Sequence, residues 1–388
     1  IVHVGLATRG GAREEPAAKA GLSALLARTS IKGTARRNAA QVAGDAERLG
    51  GSISPGNSSE GLGWSISVPT RNLAAAVELL ADVVQSPSIP EAALETERAV
   101  ALDDLAGLRD DMYRWPMRLV SEAAFAGHPY GVPASGTEET LRAITAEDVR
   151  AWHRAQVRSG DIAIGVVGDV DEDETAALVA AHFGQLVRRD ATPVRVPAWP
   201  AGVIERAERR EKAQSALAIA FPAPSRRDAR RHAAHLLAGI ASGLGGRFFD
   251  ELRDKQSLAY TVQAFAAERE VTGLFLSYIA TSPEKEETAR RGLLAEFAKL
   301  REQPVTAEEL ERAQVYAIGT HAIRQQGGGA VLGDMLDAWL FGEGLHELAA
   351  YESSVRAVRA SDIQALANDY FDESRRVEGI VRGVGKTV

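Results

Sequence analysis

The sequence predicts an α+β protein built from two tandem copies of one layered domain, and three observations predict it. Strand-like and helix-like segments alternate along the 388 residues. Segment 144–170 resembles segment 358–385, and each reads as a helix, a turn and an apolar strand. A second similar pair, 90–99 and 306–315, has nearly the same separation. A period this long indicates two homologous domains and excludes a solenoid.

The expected elements follow the chain in order. The first residues read as the middle of a strand, and residues 20–34 as a short helix. Short apolar runs predict strands at 63–69, 161–168, 215–221, 259–265, 273–280 and 377–383. Helices are expected at about 71–86, 91–110, 116–126, 145–156, 171–183, 227–241, 283–302, 306–324 and 359–370.

Polar residues mark the starts of the two repeated helices. Thr145 with Asp148 forms a capping pair before the first of them. Ser361, beside Asp362, is expected to cap the second. The same signal at both places supports the repeat.

A linker is expected between the two copies. Segment 188–203 contains three prolines and has no helical period, which is typical of a connection between domains. The predicted organisation is a first domain at 1–190, a linker at 191–209 and a second domain at 210–388.

Composition excludes several classes of function. The net charge of −8 and the pI of about 5.6 argue against a broad nucleic-acid surface. The absence of cysteine excludes disulfides, cysteine nucleophiles and cysteine-bound metals. The sequence has no apolar run of about 18 residues, so no membrane span is expected.

The short helix at 20–34 presents an unusual face. Ala24, Ala27 and Arg28 lie three and four residues apart, so their side chains share one side of the helix. Leucines occupy much of the remainder, and periodicity alone indicates a plain buried helix.

This segment resembles the region of the pitrilysin/insulinase family of inverted zinc peptidases that carries the motif H-x-x-E-H. The flanking residues match, including the lead-in at 9–21. Ala24 and Arg28 stand where the family has its zinc-binding histidines, and Ala27 stands where it has the glutamate that activates water. The resemblance therefore implies a degenerate motif that holds no zinc.

The family's third zinc ligand is a glutamate on a later helix, and segment 95–105 is similar to that helix. Asp104 stands at the matching position, and Glu97 is a family-typical acidic residue two turns earlier. Since Arg28 brings a fixed positive charge to the vacated site, we expect it to pair with Asp104. The alternative is that Arg28 simply reaches solvent.

The second copy carries the other half of the family signature. Segment 241–265 resembles a Gly-rich turn, a helix with an arginine and a tyrosine seven residues on, here Arg253 and Tyr260. In the family this pair contacts the substrate peptide near the scissile bond. Both side chains donate hydrogen bonds and suit a carbonyl oxygen that gains charge. Taken without the resemblance, they read as a surface arginine and a half-buried strand tyrosine.

The resemblance also implies a function. Some family members divide the two motifs between subunits, as in the mitochondrial processing peptidase and bacterial two-subunit peptidases. This chain resembles the alpha-type subunit, a zinc-free pseudoenzyme that is inactive alone. It would contribute Arg253 and Tyr260 to a homologous H-x-x-E-H subunit for peptide hydrolysis in an enclosed chamber. Zinc is expected on that partner only, with a peptide as substrate.

Two alternatives remain open. One is a structural subunit, like the core proteins of the ubiquinol–cytochrome c reductase, and the other is a stand-alone peptide-binding dimer.

The chain begins in mid-strand without methionine, so its natural N-terminus is expected upstream. A bacterial protein is expected, in either the periplasm or the cytoplasm.

Overall fold

The computed structural model describes residues 1–189, 192–243 and 245–384. Over these residues the chain forms ten strands in two sheets. The strands are β1 (Val2–Arg9), β2 (Ile53–Asn57), β3 (Gly61–Val68), β4 (Ser159–Val167), β5 (Val187–Arg188), β6 (Ile204–Arg210), β7 (Ser215–Ala223), β8 (Val262–Glu268), β9 (Gly273–Thr281) and β10 (Val377–Gly383).

Helices fill most of the remaining chain, and two of its turns are π-helical, at Arg154–Arg158 and Phe249–Lys255. The α-helices are α1 (Leu22–Ser30), α2 (Ala39–Arg48), α3 (Leu73–Gln85), α4 (Glu91–Asp110), α5 (Arg114–Ala124), α6 (Glu138–Ala143), α7 (Ala146–His153), α8 (Glu172–Phe183), α9 (Arg231–Ser242), α10 (Glu286–Glu302), α11 (Ala307–Arg324), α12 (Gly328–Leu340), α13 (His346–Ala349), α14 (Tyr351–Ala357) and α15 (Ala360–Tyr370). No helix in the described parts of the chain is both long and apolar enough to cross a membrane.

The chain folds into two compact units, each assembled from three segments. Unit 1 contains Ile1–Ala106, Val132–Pro193 and Ile323–Leu348. Unit 2 contains Gly107–Gly131, Val194–Ala322 and Ala349–Val388. Each unit therefore includes one helix that lies, in sequence, within the other repeat: α12 in unit 1 and α5 in unit 2.

The two sheets have the same plan. In unit 1 the order is β2-β3-β1-β4-β5, with β1 antiparallel to both neighbours and β5 parallel to β4. In unit 2 the order read in the same direction is β8-β9-β7-β10-β6, with β7 central and β6 parallel to β10. This agreement confirms the predicted α+β class and the two tandem copies.

Paired glycines let one helix lie close to each sheet. A Cβ atom on Gly165 of β4 would lie 2.7 Å from Leu332 of α12. A Cβ atom on Gly379 of β10 would lie 2.1 Å from the carbonyl oxygen of Pro116 in α5. The two glycines hold equivalent places in the repeated strands. At each place a side chain would push the covering helix off the sheet.

The core of unit 1 lies between the sheet and α1, α3 and α7. Leu62, Trp64 and Ile66 alternate along β3 and point into this core, while the residues between them face the opposite side. The indole nitrogen of Trp64 donates to the hydroxyl of Ser30 at 2.8 Å, which fixes α1 against the sheet. The period of two along β3 thus determines which face α1 covers.

The core of unit 2 is dominated by aromatic rings. Phe297 of α10 lies at their centre, with ring centroids 4.8 to 6.0 Å away. Its neighbours are Phe221, Phe248, Phe275 and Phe371. Three of these rings meet Phe297 edge to face and Phe221 is tilted against it, so the sheet, α10 and the residue after α15 meet in one apolar cluster.

One of the two predicted helix caps is present in the structure, and the other is not. The Thr145–Asp148 capping box is present at the start of α7. The predicted cap at Ser361 is wrong, because α15 begins one residue earlier and the carboxylate of Asp362 accepts from the backbone N–H of Arg359. A side chain three residues into the helix reaches the capping position, whereas Ser361 already lies inside the first turn.

The segment that joins the repeats is partly ordered by unit 2. Trp199 donates its indole N–H to the carbonyl of Arg375 at 2.7 Å and packs its ring against Phe125. The strand β6 begins at Ile204, within the predicted linker. Residues 190 and 191 lie outside the described residues.

Candidate functional site

The frame of the degenerate zinc motif is firmly held in unit 1. Gly21 precedes α1 with φ +101°, and a Cβ atom there would lie 2.8 Å from Leu141. The buried carboxylate of Glu15 accepts from the backbone N–H groups of Gly21 and Ser23 at 2.6 and 2.5 Å. Burial raises the pKa of Glu15, and the hydrogen bonds from Ser23 and Gly21 oppose that rise. These two hydrogen bonds satisfy backbone N–H groups at the start of α1 that have no acceptor within the helix.

The three motif positions offer no metal ligand. Ala24 and Ala27 are buried methyl groups, with Ala27 only 3% exposed. Arg28 presents a guanidinium, which keeps its positive charge and has no lone pair for zinc. These residues do not fit a zinc ion. Within the described residues, no group of three or more His, Asp or Glu side chains is arranged to hold a metal.

An ion-pair network occupies the place of the missing site. Nη2 of Arg28 lies 2.5 Å from Oδ2 of Asp104, which confirms the expected pair. Nη1 of Arg28 also lies 3.8 Å from Glu97, whose other oxygen accepts from Nζ of Lys32 at 2.7 Å. Two cations thus neutralise the two carboxylates on α4.

We expect the Arg28–Asp104 pair to contribute little stability. The side chains are 33% and 61% exposed, and such pairs contribute about 0.5 kcal/mol because water screens them. A double-mutant cycle with Arg28→Ala and Asp104→Ala, followed by urea unfolding, should give this coupling at low salt. It should vanish near 1 M salt. Zero coupling at low salt would contradict the pairing.

A groove of about 430 Å³ lies on the other face of the same sheet. It is bounded by Ser54 and Ser65 of the paired strands β2 and β3 and by Leu336 and Phe341 near α12. The side chain of Trp64, the residue before Ser65 on β3, points to the α1 side of the sheet instead. The groove therefore contains none of the motif positions.

The structure brings Arg253 and Tyr260 together in unit 2. The guanidinium carbon of Arg253 lies 5.2 Å from the centroid of the Tyr260 ring, so the two side chains stack. Arg253 belongs to the π-helical turn Phe249–Lys255, and Tyr260 precedes β8 by two residues. The strand was predicted from residue 259, and it begins at Val262.

Both side chains keep their donors available. Tyr260 is 82% exposed, and its hydroxyl has no hydrogen-bond partner among the described residues. The Arg253 side chain is 35% exposed, and its nearest carboxylate, on Asp254, is 3.9 Å from Nε. The pair therefore presents one charged and one neutral donor to the same small region of surface.

Phe249 also belongs to this site. Its ring lies on Arg253, with the guanidinium carbon 4.2 Å from the ring centroid. The sequence reasoning missed this residue. Its position four residues before Arg253 on a helical turn was the available signal, because residues at this spacing are neighbours on a helix surface.

The turn between Arg253 and Tyr260 is strained and anchored. Ser257 has φ +49°, a left-handed conformation that costs free energy for any residue with a Cβ atom. The carbonyl of Ser257 accepts from Lys285, and that of Leu258 accepts from the hydroxyl of Thr281. These bonds hold the turn in the conformation that places Tyr260 beside Arg253.

An ion pair between Arg247 and Glu309 lies just before the π-helical turn. Arg247 donates two hydrogen bonds of 2.7 Å to the carboxylate of Glu309, and Glu309 also accepts from the backbone N–H of Thr306. The hydrogen bonds from Arg247 lower the pKa of Glu309 to about 2. The pair thus ties the chain just before the π-helical turn to the first turn of α11.

The Glu309 pair should make the stability of unit 2 dependent on acid pH. Because the pKa in the folded protein lies below its ordinary value of 4.5, the stabilisation is complete above pH 4.5 and is lost as the pH falls through about 2. We expect Glu309→Gln to lower the free energy of unfolding by about 1–2 kcal/mol at neutral pH and hardly at all near pH 2. Urea unfolding across this range, with the exposed Glu311→Gln as control, measures the difference. A constant difference at all pH values would contradict the assignment.

Two family descriptions match most of the chain. Residues 1–138 match the model for insulinase (peptidase family M16), and residues 143–315 match the model for the peptidase M16 inactive domain. The second match begins at the end of the first copy and runs into the second, so the two matches together cover most of both copies.

Several bacterial relatives are similar over much of the sequence. A protein named an uncharacterized zinc protease in Streptomyces coelicolor is 25% identical over 92% of this chain and 80% of its own length. Another of that description in Mycobacterium leprae is 31% identical over 65% of this chain and 58% of its own length. This chain therefore spans little more than half of the second relative.

Solved structures share the fold throughout. A protease from Helicobacter pylori has a TM-score of 0.88 at 21% identity, covering 98% of this chain and 93% of its own. A peptidase M16 inactive domain from Pseudomonas fluorescens has a TM-score of 0.89 at 20% identity, covering 99% and 93%. A chain of complex III from Candida albicans has a TM-score of 0.82 at 16% identity, covering 98% and 90%. The two family matches, over residues 1–138 and 143–315, show that the chain is a member of peptidase family M16, the insulinase family.

Proposed function

We propose that this chain is the zinc-free subunit of a two-subunit metallopeptidase. In this role it binds the substrate peptide through Arg253 and Tyr260 and presents it to the zinc site of a homologous H-x-x-E-H subunit. The observation that carries the proposal is the Arg253–Tyr260 pair, whose donors have no hydrogen-bond partner among the described residues, while Lys285 and Thr281 anchor the turn between them.

The chemistry of the pair suits peptide hydrolysis. When water attacks a peptide carbonyl, the oxygen gains negative charge, and fixed donors lower the barrier by stabilising that charge. Arg253 supplies a permanent cation and Tyr260 supplies a hydroxyl. Neither residue activates water, and Ala27 leaves the first repeat of this chain without the family's glutamate. Hydrolysis therefore requires a second chain.

The experiment compares peptide cleavage by this chain, by an H-x-x-E-H chain from the same genome and by the equimolar mixture, with zinc content measured in each. We expect cleavage by the mixture and none by this chain alone. Stoichiometric zinc on this chain alone would overturn the proposal. So would a partner whose activity is the same with and without this chain.

A structural or peptide-binding role without catalysis is the second candidate. It is favoured by the ion-pair network of Arg28, Lys32, Glu97 and Asp104, which fills the degenerate motif. In that case the mixture forms a stable complex whose cleavage rate does not depend on Arg253 or Tyr260. Size-exclusion chromatography beside the cleavage assay separates this outcome from the first.

A further inference from the structure

Two aromatic rings lie close to the guanidinium of Arg253. Its central carbon lies 4.2 Å from the centroid of the Phe249 ring and 5.2 Å from that of Tyr260. The shorter distance belongs to Phe249, which is partly buried, whereas Tyr260 is 82% exposed. Phe249 is therefore the better fixed of the two supports.

The backbone determines the place of Phe249. Its neighbours Phe248 and Leu252 are fully buried in the aromatic core, so this side of the turn cannot rotate freely. Gln256 donates its backbone N–H to the carbonyl of Glu251, five residues back, which gives the wide π-helical turn. Such turns are frequent at functional sites, and here the turn projects Phe249 and Arg253 from one anchored piece of backbone.

The other contacts of Arg253 do not fix its orientation. Its nearest carboxylate, on Asp254, lies at 3.9 Å, beyond hydrogen-bonding distance, and is itself largely exposed. Within the described residues, the guanidinium forms no hydrogen bond to protein. A ring face attracts a guanidinium face and leaves the N–H groups at its edge free, which a carboxylate partner would not.

We propose that Phe249 is a positioning residue, which holds the guanidinium plane of Arg253 so that its edge donors are free for a substrate carbonyl. The inference rests on the proposed function, because it assumes that Arg253 binds the substrate. Phe249 need not touch the substrate and acts only through Arg253. Tyr260 also lies against the guanidinium and supplies its own hydroxyl.

The first test requires no partner subunit. Arginine side chains are labelled with ¹⁵N at Nε, and the Arg253 resonance is assigned by its loss in Arg253→Lys. In Phe249→Leu we expect the Hε shift to move towards that of a free arginine. Its exchange with water should be several-fold faster. Phe249→Tyr keeps a ring and should keep the native shift, as should the matched control Phe265→Leu, which lies in a separate hydrophobic cluster.

The second test uses the mixture of both subunits. We expect Phe249→Leu to lower kcat/KM by about 10-fold, with most of the activity restored in Phe249→Tyr. In an Arg253→Ala background, Phe249→Leu should have no further effect, since it acts through Arg253. Equal effects in both backgrounds would overturn the inference and show a merely structural role.

Circular dichroism verifies folding, and Phe249→Met is a second ring-free variant if Phe249→Leu does not fold. An unchanged Arg253 resonance in the ring-free variant overturns the inference whatever the activity. A moved resonance together with hydrolysis that is independent of Arg253 overturns the proposed function, while the contact by which Phe249 positions Arg253 is still supported. The two failures are therefore distinguishable.

Discussion

Replacing Arg253 by alanine is expected to lower the kcat/KM of the two-subunit mixture by about 100-fold or more. Two rings lie against the guanidinium, and in the proposed function its charge stabilises the developing oxyanion. Tyr260→Phe removes only the hydroxyl and keeps the ring on Arg253, so we expect a smaller loss, about 10-fold. Initial rates over a range of peptide concentrations separate kcat from KM.

Matched surface variants control for this result. Tyr316 is an exposed tyrosine on α11, and Arg291 is an exposed arginine on α10. Tyr316→Phe and Arg291→Ala should leave the rates unchanged. Equal losses in the controls and in the site variants would indicate a general disturbance of the complex and contradict a specific role for Arg253 and Tyr260.

Arg253→Lys distinguishes charge from geometry. Lysine keeps the positive charge but lacks the flat group that packs against aromatic rings and the fork of N–H donors. We expect it to restore only a small part of the activity lost in Arg253→Ala. Full activity in the lysine variant would show that charge alone is sufficient.

The largest effect on stability is expected for Phe297→Ala. Phe297 is 2% exposed and contacts four other phenylalanine rings, so its removal leaves a large cavity that the core cannot close. We expect a loss of about 3–5 kcal/mol in the free energy of unfolding. The midpoint of thermal unfolding of unit 2 should fall by roughly 10 °C.

This variant also connects the core to the site. Phe297 packs on Phe248, which immediately precedes the π-helical turn that carries Arg253. Faster amide hydrogen exchange in 249–255 should therefore accompany the loss of stability. Phe297→Leu keeps most of the volume and should cost about 1–2 kcal/mol. A loss in Phe297→Ala no greater than this would mean that the core collapses around the missing ring.

Sequence patterns were sufficient for the repeat, the fold class and one contact of the degenerate motif. The similarity of 144–170 to 358–385 predicted two copies, and both sheets have the same strand order. The pairing of Arg28 with Asp104 followed from matching two family helices and from their opposite charges. The repeat and the fold class were predictable because periodicity and capping are expressed by neighbouring residues, whereas the ion pair was predictable only through the family resemblance.

Other features were not predictable in this way. Sequence order places α5 in the first repeat and α12 in the second, whereas the compact units contain them the other way round. The glycines Gly165 and Gly379 permit these helices to approach, but a glycine in a strand does not say which helix will cover it. The choice depends on long-range packing, and spacing along the chain carries no record of it.

The sequence by itself determined that this protein has the family's frame without its zinc ligands, because ligand chemistry is a property of side-chain type. Only the tertiary structure decided what surrounds Arg253. Phe249 and Tyr260 are separated from it by four and seven positions in opposite directions, and both rings come close to its guanidinium because a π-helical turn and a left-handed Ser257 bend the chain there. That bend is held by Lys285, Thr281 and the buried aromatic core, which are remote in sequence and become neighbours only on folding.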